Sequence, residues 1–342
     1  MFLAFAGLGS VLLAAIHLLL PSSGLNEALS TVPVIAQGLA FPLPGGLALV
    51  LMGMVVLLTV VLRPRRQGAL SRRPALVTAT CVALSGVLLA LSATGVGLPS
   101  PRGNTEVDAN ASLVMVSWNA LDHFDAESAE QIFGGLAADV AVLPELENRD
   151  GGAGAHRIQE ALAGGGLDPT EYDIFESPPT GTHIAPLAVI VRRGFGIYAS
   201  VAVEQVTFGT VHLVPPAGSG LPEIVALHTA PPVPRWMAAW EADLTRVRDL
   251  AQNAGGNSII AGDLNATLRH GAMGGITSHA DVLTSAPAVE RGTWPATAPP
   301  VLRSSIDHVL IPTSAFAVGD AGVLDITGSD HAAVVTRIFF RP

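Results

Sequence analysis

Three long uncharged apolar runs fall within the first hundred residues, and an ordinary soluble fold has no place for them. Residues 2–20, 28–62 and 74–98 contain no Asp, Glu, Lys or Arg. Pro33, Pro42 and Pro44 break the first part of the second run, so its regular portion is read as about 40–62. Each run is close to the roughly 20 residues that cross a hydrocarbon core. A buried core helix would explain one such run, but three in succession favour lipid. A cleaved signal peptide is the rival for the first run. That run lacks a basic leading segment, and two spans would still follow it. The expectation is a multi-pass cell-membrane protein whose residues 1–100 form an all-α transmembrane region of three helices, at about 2–20, 40–62 and 74–98, with the lipid bilayer as a partner.

Charge placement orients those helices. Arg63, Arg65, Arg66, Arg72 and Arg73 cluster between the second and third runs, and Glu27 is the only acid before residue 101. Short loops rich in Arg stay on the cytoplasmic side. The N-terminus is therefore expected in the cytoplasm, and everything after the third helix outside it. The 18 basic residues are all Arg, which excludes a Walker A lysine, a Schiff-base lysine and a Ser–Lys dyad. Cys81, the single cysteine, lies inside the third run, so no disulfide scaffold exists. Residues 101–342 carry 13 Arg against 27 acids, a balance that disfavours nucleic acid as partner without excluding a local basic groove around Arg235, Arg246 and Arg248.

After a Pro-, Gly- and Asn-containing linker at 101–111, the chain changes character. Short apolar runs bounded by Gly, Pro and Asp predict strands at 112–118, 139–143, 185–191, 201–208, 210–214, 223–228, 258–261, 305–311 and 332–339. Helical spacing predicts helices over 126–138 and 236–253. Strand-rich order with interspersed helices indicates an α+β domain over 112–342, two packed sheets covered by helices.

Six of these strands deliver a polar residue at an end: Asn119, Glu145, His228, the Gly262-Asp263-Leu264-Asn265 turn, Asp307 and the Asp330-His331 pair. One such case is ordinary turn chemistry. Six together suit phosphate-ester hydrolysis. A hard cation, Mg²⁺ with Mn²⁺ as the alternative, takes carboxylate oxygens, and Glu145 is the first ligand candidate. Asp263 can orient or deprotonate an attacking water, and Asn119 and Asn265 can donate N–H to the phosphate. Asp307 paired with His331 would hold that imidazole in one tautomer and cationic. No HxH, HExxH or cysteine cluster supports zinc. His308 is expected to face the other side of its strand. Trp240 is expected to pack, and Trp294, in a loop before Pro295, has pocket lining only as its second reading.

The order WN, PE, H, GDLN, IDH and SDH resembles the endonuclease/exonuclease/phosphatase (DNase I-like) superfamily over about 112–340, most like a bacterial membrane-associated branch. The resemblance implies a four-layer αββα sandwich with the site at one end of the paired sheets. It implies that Asn119 and Glu145 belong to the metal and phosphate site, with Asp330 supporting the metal or the water. It places His228 beside the phosphate and makes Asp263 the base, Asn265 a transition-state donor and Asp307 the orienter of His331. One departure stands out: many nuclease members carry an acid two residues beyond the Asn, where this chain has Leu121, with Asp122 next. The leading expectation is a membrane-anchored, extracytoplasmic, metal-dependent phosphoesterase acting on a lipid headgroup, a lipid-linked phosphate or a small phosphodiester. A surface nuclease and a catalytically inactive phospho-ligand-binding or partner-binding protein are the alternatives.

Overall fold

A computed structural model describes residues 2–62, 73–101, 108–148, 156–253 and 256–341. The chain divides into two compact units: Met1–Leu98 with Leu268–Gly275, and Pro99–Thr267 with Ile276–Pro342.

The first unit is helical: α1 (Phe2–Leu19), α2 (Gly24–Ser30), α3 (Ile35–Leu39), α4 (Pro42–Leu62) and α5 (Arg73–Ser92). Two of these, α4 and α5, are long and apolar enough to cross a membrane. A third span exists only if α1 and α2, bent by 118° at their junction, count as one. The first and third runs therefore end sooner than the sequence suggested, α1 at Leu19 and α5 at Ser92. The expected arginine loop lies largely outside the described residues, which omit Arg63, Arg65, Arg66 and Arg72. Small residues let the helices approach closely. A Cβ on Gly53 would sit 2.7 Å from the Ala79 carbonyl, and one on Gly46 2.5 Å from that of Gly86, so the α4–α5 seam requires glycine. Ser10 and Ser85 hydroxyls join α1 to α5 at 2.9 Å.

The second unit holds two six-stranded mixed sheets, giving an α+β domain. The strands are β1 (Asp108–Ser117), β2 (Val140–Leu143), β3 (Tyr172–Glu176), β4 (Ala188–Arg192), β5 (Ala199–Val201), β6 (Thr210–Val214), β7 (Glu223–His228), β8 (Ser258–Asp263), β9 (His279–Asp281), β10 (Asp307–Pro312), β11 (Phe316–Leu324) and β12 (Ala333–Phe340). Their order is β11-β12-β1-β2-β4-β3 in one sheet and β5-β6-β7-β8-β10-β9 in the other. Alternation along each strand sends one set of side chains between the sheets. Leu113, Met115, Val140 and Val142 there meet Ile224, Ala226, Ile259 and Val309. The opposite face of the first sheet buries Val116, Trp118, Ala141 and Ile190 against Ile132 and Phe133, which follow α6 (Ala126–Ala129), and against Ile158 and Leu162 of α7 (Arg157–Gly164). After β7, α8 (Met237–Asn253) buries Trp240, Leu244, Val247 and Ala251.

Several sequence expectations are corrected here. The strand expected at 201–208 stops at Val201. Beyond it, Val206 N–H donates to the Thr210 hydroxyl and Thr207 N–H to the buried Asp243 carboxylate, so neither is left for a ladder. The helix expected over 126–138 loosens after Ala129 into a π-turn at Glu130–Gly135, where Gly134 and Gly135 resist regular helix. Strands β3, β9 and β11 were not foreseen: the charges of YDIFE and the glycines of FAVGDAGVL obscure their alternation, and β9 is only three residues long. The first strand begins at Asp108, inside the stretch read as linker.

Candidate active site

Each sheet contains one parallel pair, β1 with β2 and β7 with β8, flanked by antiparallel neighbours. Parallel strands deliver their carboxyl ends to one edge, and an antiparallel neighbour delivers its amino end there. Asn119 and Glu145 follow β1 and β2, while His228 and Asp263 end β7 and β8. Asp307 opens β10, in register with Asp263, and His331 precedes β12. Topology alone thus gathers the polar strand ends.

Their side chains meet. Asn119 Nδ2 donates to Glu145 Oε1 at 3.0 Å and to Asp263 Oδ2 at 3.1 Å, tying the two sheets together. His228 Nε2 lies 3.7 Å from both of those carboxylates. His331 Nδ1 bonds Asp307 Oδ2 at 2.9 Å, and its Nε2 points to Asp263 Oδ2 at 3.8 Å. Asp263 is further fixed by the Asn265 N–H at 2.8 Å, and the Asn265 amide donates to the Thr229 carbonyl at 3.0 Å. Glu145 and Asn265 both have left-handed backbone, φ 56° and 46°. Non-glycine residues hold that conformation at a cost of about 1–3 kcal/mol each, and such strain concentrates at functional sites. Gly262 is obligatory in the turn: at φ 142°, a Cβ there would collide with the Leu227 carbonyl.

The electrostatics separate the groups. Burial would lower the His331 imidazole, but the charges of Asp307 and Asp263, the Asp307 hydrogen bond and Asp330 together carry it up to about 10. Burial dominates at His228 and lowers it, despite the Asp263 charge. The site therefore holds one cationic and one neutral imidazole at neutral pH. Asp263 is raised, first by burial and then by the Asp307 charge, against the imidazoles and the Asn265 N–H.

A second layer, invisible in sequence, holds these residues. The Trp118 indole donates to the His331 carbonyl at 3.1 Å, and Ser329 bridges the Asn119 carbonyl and the His331 N–H at 2.6 and 3.0 Å. Trp240 packs as expected, and its indole also donates to the Asn265 carbonyl at 3.0 Å. Trp294 stands beside His331, with its indole on Asp330 Oδ2 at 2.9 Å. His308 points away from His331, as expected, and binds Asp281 on one side and the Ala266 carbonyl at 2.8 Å on the other. Asp122 does not replace the acid missing at Leu121: its carboxylate pairs with Arg157 at 2.6 Å in an exposed position.

The donor set suits a hard divalent ion. Asp263, Asp307 and His331 place side-chain N and O atoms within 4.8 Å of one another; the protonated His331 offers no lone pair, so the donors are the carboxylates, and Asp307 Oδ1 is buried with no hydrogen-bond partner among the described residues. Buried polar atoms are rarely left unpaired, so an oxygen donor of this kind suits a cation or its water.

The profile of the Endonuclease/Exonuclease/phosphatase family matches residues 116–331. The chain belongs to this family. Solved structures resemble the chain at low identity. A D. rerio TDP2 humanized by 14 mutations is 16% identical, covering 66% of this chain and 98% of its own, with TM-score 0.47. A Beutenbergia cavernae family member is 18% identical, covering 67% and 72%, with TM-score 0.49. One from Bacteroides thetaiotaomicron is 15% identical, covering 70% and 100%, with TM-score 0.48. No curated protein is similar to the chain at the level of sequence.

Proposed function

We propose that this family member is a membrane-anchored phosphoesterase that hydrolyses a phosphate ester outside the cytoplasm. The observation carrying this reading is the joint placement of a raised carboxylate, Asp263, between a neutral His228 and a cationic His331 at the shared edge of two sheets. Asp263 orients a water and accepts its proton as the water oxygen bonds to phosphorus. The bond from phosphorus to the leaving oxygen breaks in line, and that oxygen takes a proton from solvent to leave as the alcohol. His331, kept cationic by Asp307, and the second N–H of the Asn265 amide offset charge developing on the phosphoryl oxygens, while the Asn119 amide holds Glu145 and Asp263 in place. His228, uncharged, is a phosphate-side donor. A divalent ion, Mg²⁺ or Mn²⁺, would be held by oxygen donors at this edge, Glu145 with Asn119 and Asp330 as the sequence resemblance implies and Asp307 Oδ1 as the structure adds, and would neutralise phosphate charge when bound.

Apolar helices preceding the domain favour a substrate presented at a bilayer, such as a lipid headgroup or a lipid-linked phosphate, since tethering raises local concentration. The acid excess of residues 101–342 opposes a polyanionic duplex. The test is turnover by the full chain in detergent on phosphomonoesters, phosphodiesters, phospholipids and DNA, with Mg²⁺, Mn²⁺ or EDTA, beside Asp263→Asn. Metal-dependent release that the variant lacks supports the reading. Metal-independent release, or release retained by Asp263→Asn, contradicts it.

A further inference from the structure

The helical unit contains an insert from far along the sequence. Leu268–Gly275, which begins three residues after Asn265, clusters with α1–α5 rather than with the sheets. Its backbone and side chains are buried among the helix ends. Arg269 is 2% exposed, and its hydrogen-bond partners there are backbone carbonyls. Nε donates to Ser92, the last residue of α5, at 3.1 Å. Nη1 donates to His17 and Leu18 in the last turn of α1, at 3.2 and 2.8 Å, and Nη2 donates to Val96. Carbonyls in the final turn of a helix have no intrahelical partner and carry the negative end of its dipole. One guanidinium therefore caps two helices at once. Burial lowers Arg269 only to about 10, so it stays charged at neutral pH.

The flanking contacts make the insert a fitted plug. Asn26 in α2 receives from His17 Nδ1 at 3.1 Å, with the ring nitrogen as donor, and gives its amide to the Arg269 carbonyl at 2.9 Å. His270 Nε2 donates to the Ala36 carbonyl of α3 at 3.0 Å, and Gly271 N–H to the Ser30 hydroxyl at 2.8 Å. Gly274 is needed where the chain passes the Pro21 carbonyl, which any Cβ would strike. Without the insert these helix ends would bury several acceptors unpaired, which is unfavourable.

The plug also bears on the turn that precedes it. Asn265 keeps a left-handed backbone, which persists only when its surroundings over-determine it. One end of the turn is fixed by β8 and the Leu264 N–H bond to Ile306, the middle by His308 on Ala266, and the far end runs directly into the plug. We propose that Arg269 is a positioning residue: by planting Leu268–Gly275 among the helix ends, it fixes the chain that leaves the 263–267 turn and so holds that turn in its working conformation. The catalytic consequence rests on the phosphoesterase reading, while the structural one does not.

The experiment uses the full chain in lipid nanodiscs as wild type, Arg269→Met, Arg269→Lys and, from the helical side, Asn26→Ala. Hydrogen exchange is followed at the amides of 264–267, with β2 as internal reference. Arg269→Met should speed exchange there by about tenfold or more while β2 is unchanged, the signature of local opening. Arg269→Lys and Asn26→Ala should give smaller increases in the same residues. On the best phosphoester, kcat should fall about tenfold with KM nearly constant, since misplacing an attacking group affects the reaction more than binding. Unchanged exchange at 264–267 in a folded Arg269→Met or Asn26→Ala chain overturns the proposal. Wild-type inactivity on every ester, with exchange still accelerated, overturns the phosphoesterase reading and leaves Arg269 as the residue that holds the turn.

Discussion

Two buried carboxylate–histidine pairs involve neighbouring residues of β10, and they differ in what each leaves unfilled. Asp307 bonds His331, keeps Oδ1 without a partner, and aims the imidazole at Asp263. Asp281 bonds His308, whose other nitrogen is spent on the Ala266 carbonyl, while the second Asp281 oxygen accepts the Leu283 N–H. Alternation along one strand separates Asp307 from His308 onto opposite faces. The pairs share their chemistry, and the unspent capacity of the first makes it suited to catalysis. The second pair is closed and serves as a brace beneath the 263–266 turn.

The contrast can be broken experimentally, and the largest effect should come from the open pair. His331→Gln should cut kcat by about 10²–10³-fold on the best ester, the usual range for losing a group that stabilises transition-state charge, with the fold retained by circular dichroism. His308→Gln should act chiefly on stability. Its loss disturbs a buried acceptor and a buried carboxylate, costing about 1–3 kcal/mol by denaturant unfolding, with a smaller fall in kcat than His331→Gln. If His308→Gln proves the more damaging to turnover, the division between open pair and brace is wrong.

Titration sharpens the same division. The His331 imidazole is raised from 6.5 to about 10 in the folded chain. A group raised on folding stabilises fully below its unfolded value and loses that contribution as pH rises through its folded value. The melting-temperature gap between wild type and His331→Gln should therefore be widest below about pH 6.5 and should close towards pH 10. A gap that widens with pH would mean that His331 is held neutral. The smallest effect is expected at Trp294→Phe, which frees Asp330 Oδ2 from the indole. The metal concentration for half-maximal turnover should shift by less than about tenfold, below the usual range for removing a partner of a ligand.

The contrast also marks what a linear reading can supply. Strand ends bearing Asn119, Glu145, His228, Asp263, Asp307 and His331 were legible because each follows or precedes an apolar run, and topology did the rest. The side that His308 faces followed from alternation, but its partner Asp281 did not, because that contact joins β9 to β10 and no local pattern encodes such pairing. The roles of Trp118 and Ser329 and the partner of Trp294 escaped notice for the same reason: each donates to a backbone or side-chain oxygen distant in sequence. Arg269 was the least visible, lying in a Gly- and Ala-rich stretch that reads as loop while its partners lie more than 170 residues earlier. In the helical unit, hydropathy revealed the long helices but not the bend after Leu19.

The most direct test of the central claim is hydrolysis by the full chain in water enriched in heavy oxygen, comparing wild type with Asp263→Asn. Attack by a water that Asp263 orients predicts one heavy atom in the phosphate product, none in the alcohol, and almost no labelled product from the variant. Heavy oxygen in the alcohol, or labelled phosphate formed equally by Asp263→Asn, would contradict the assignment of this edge as a phosphoesterase site.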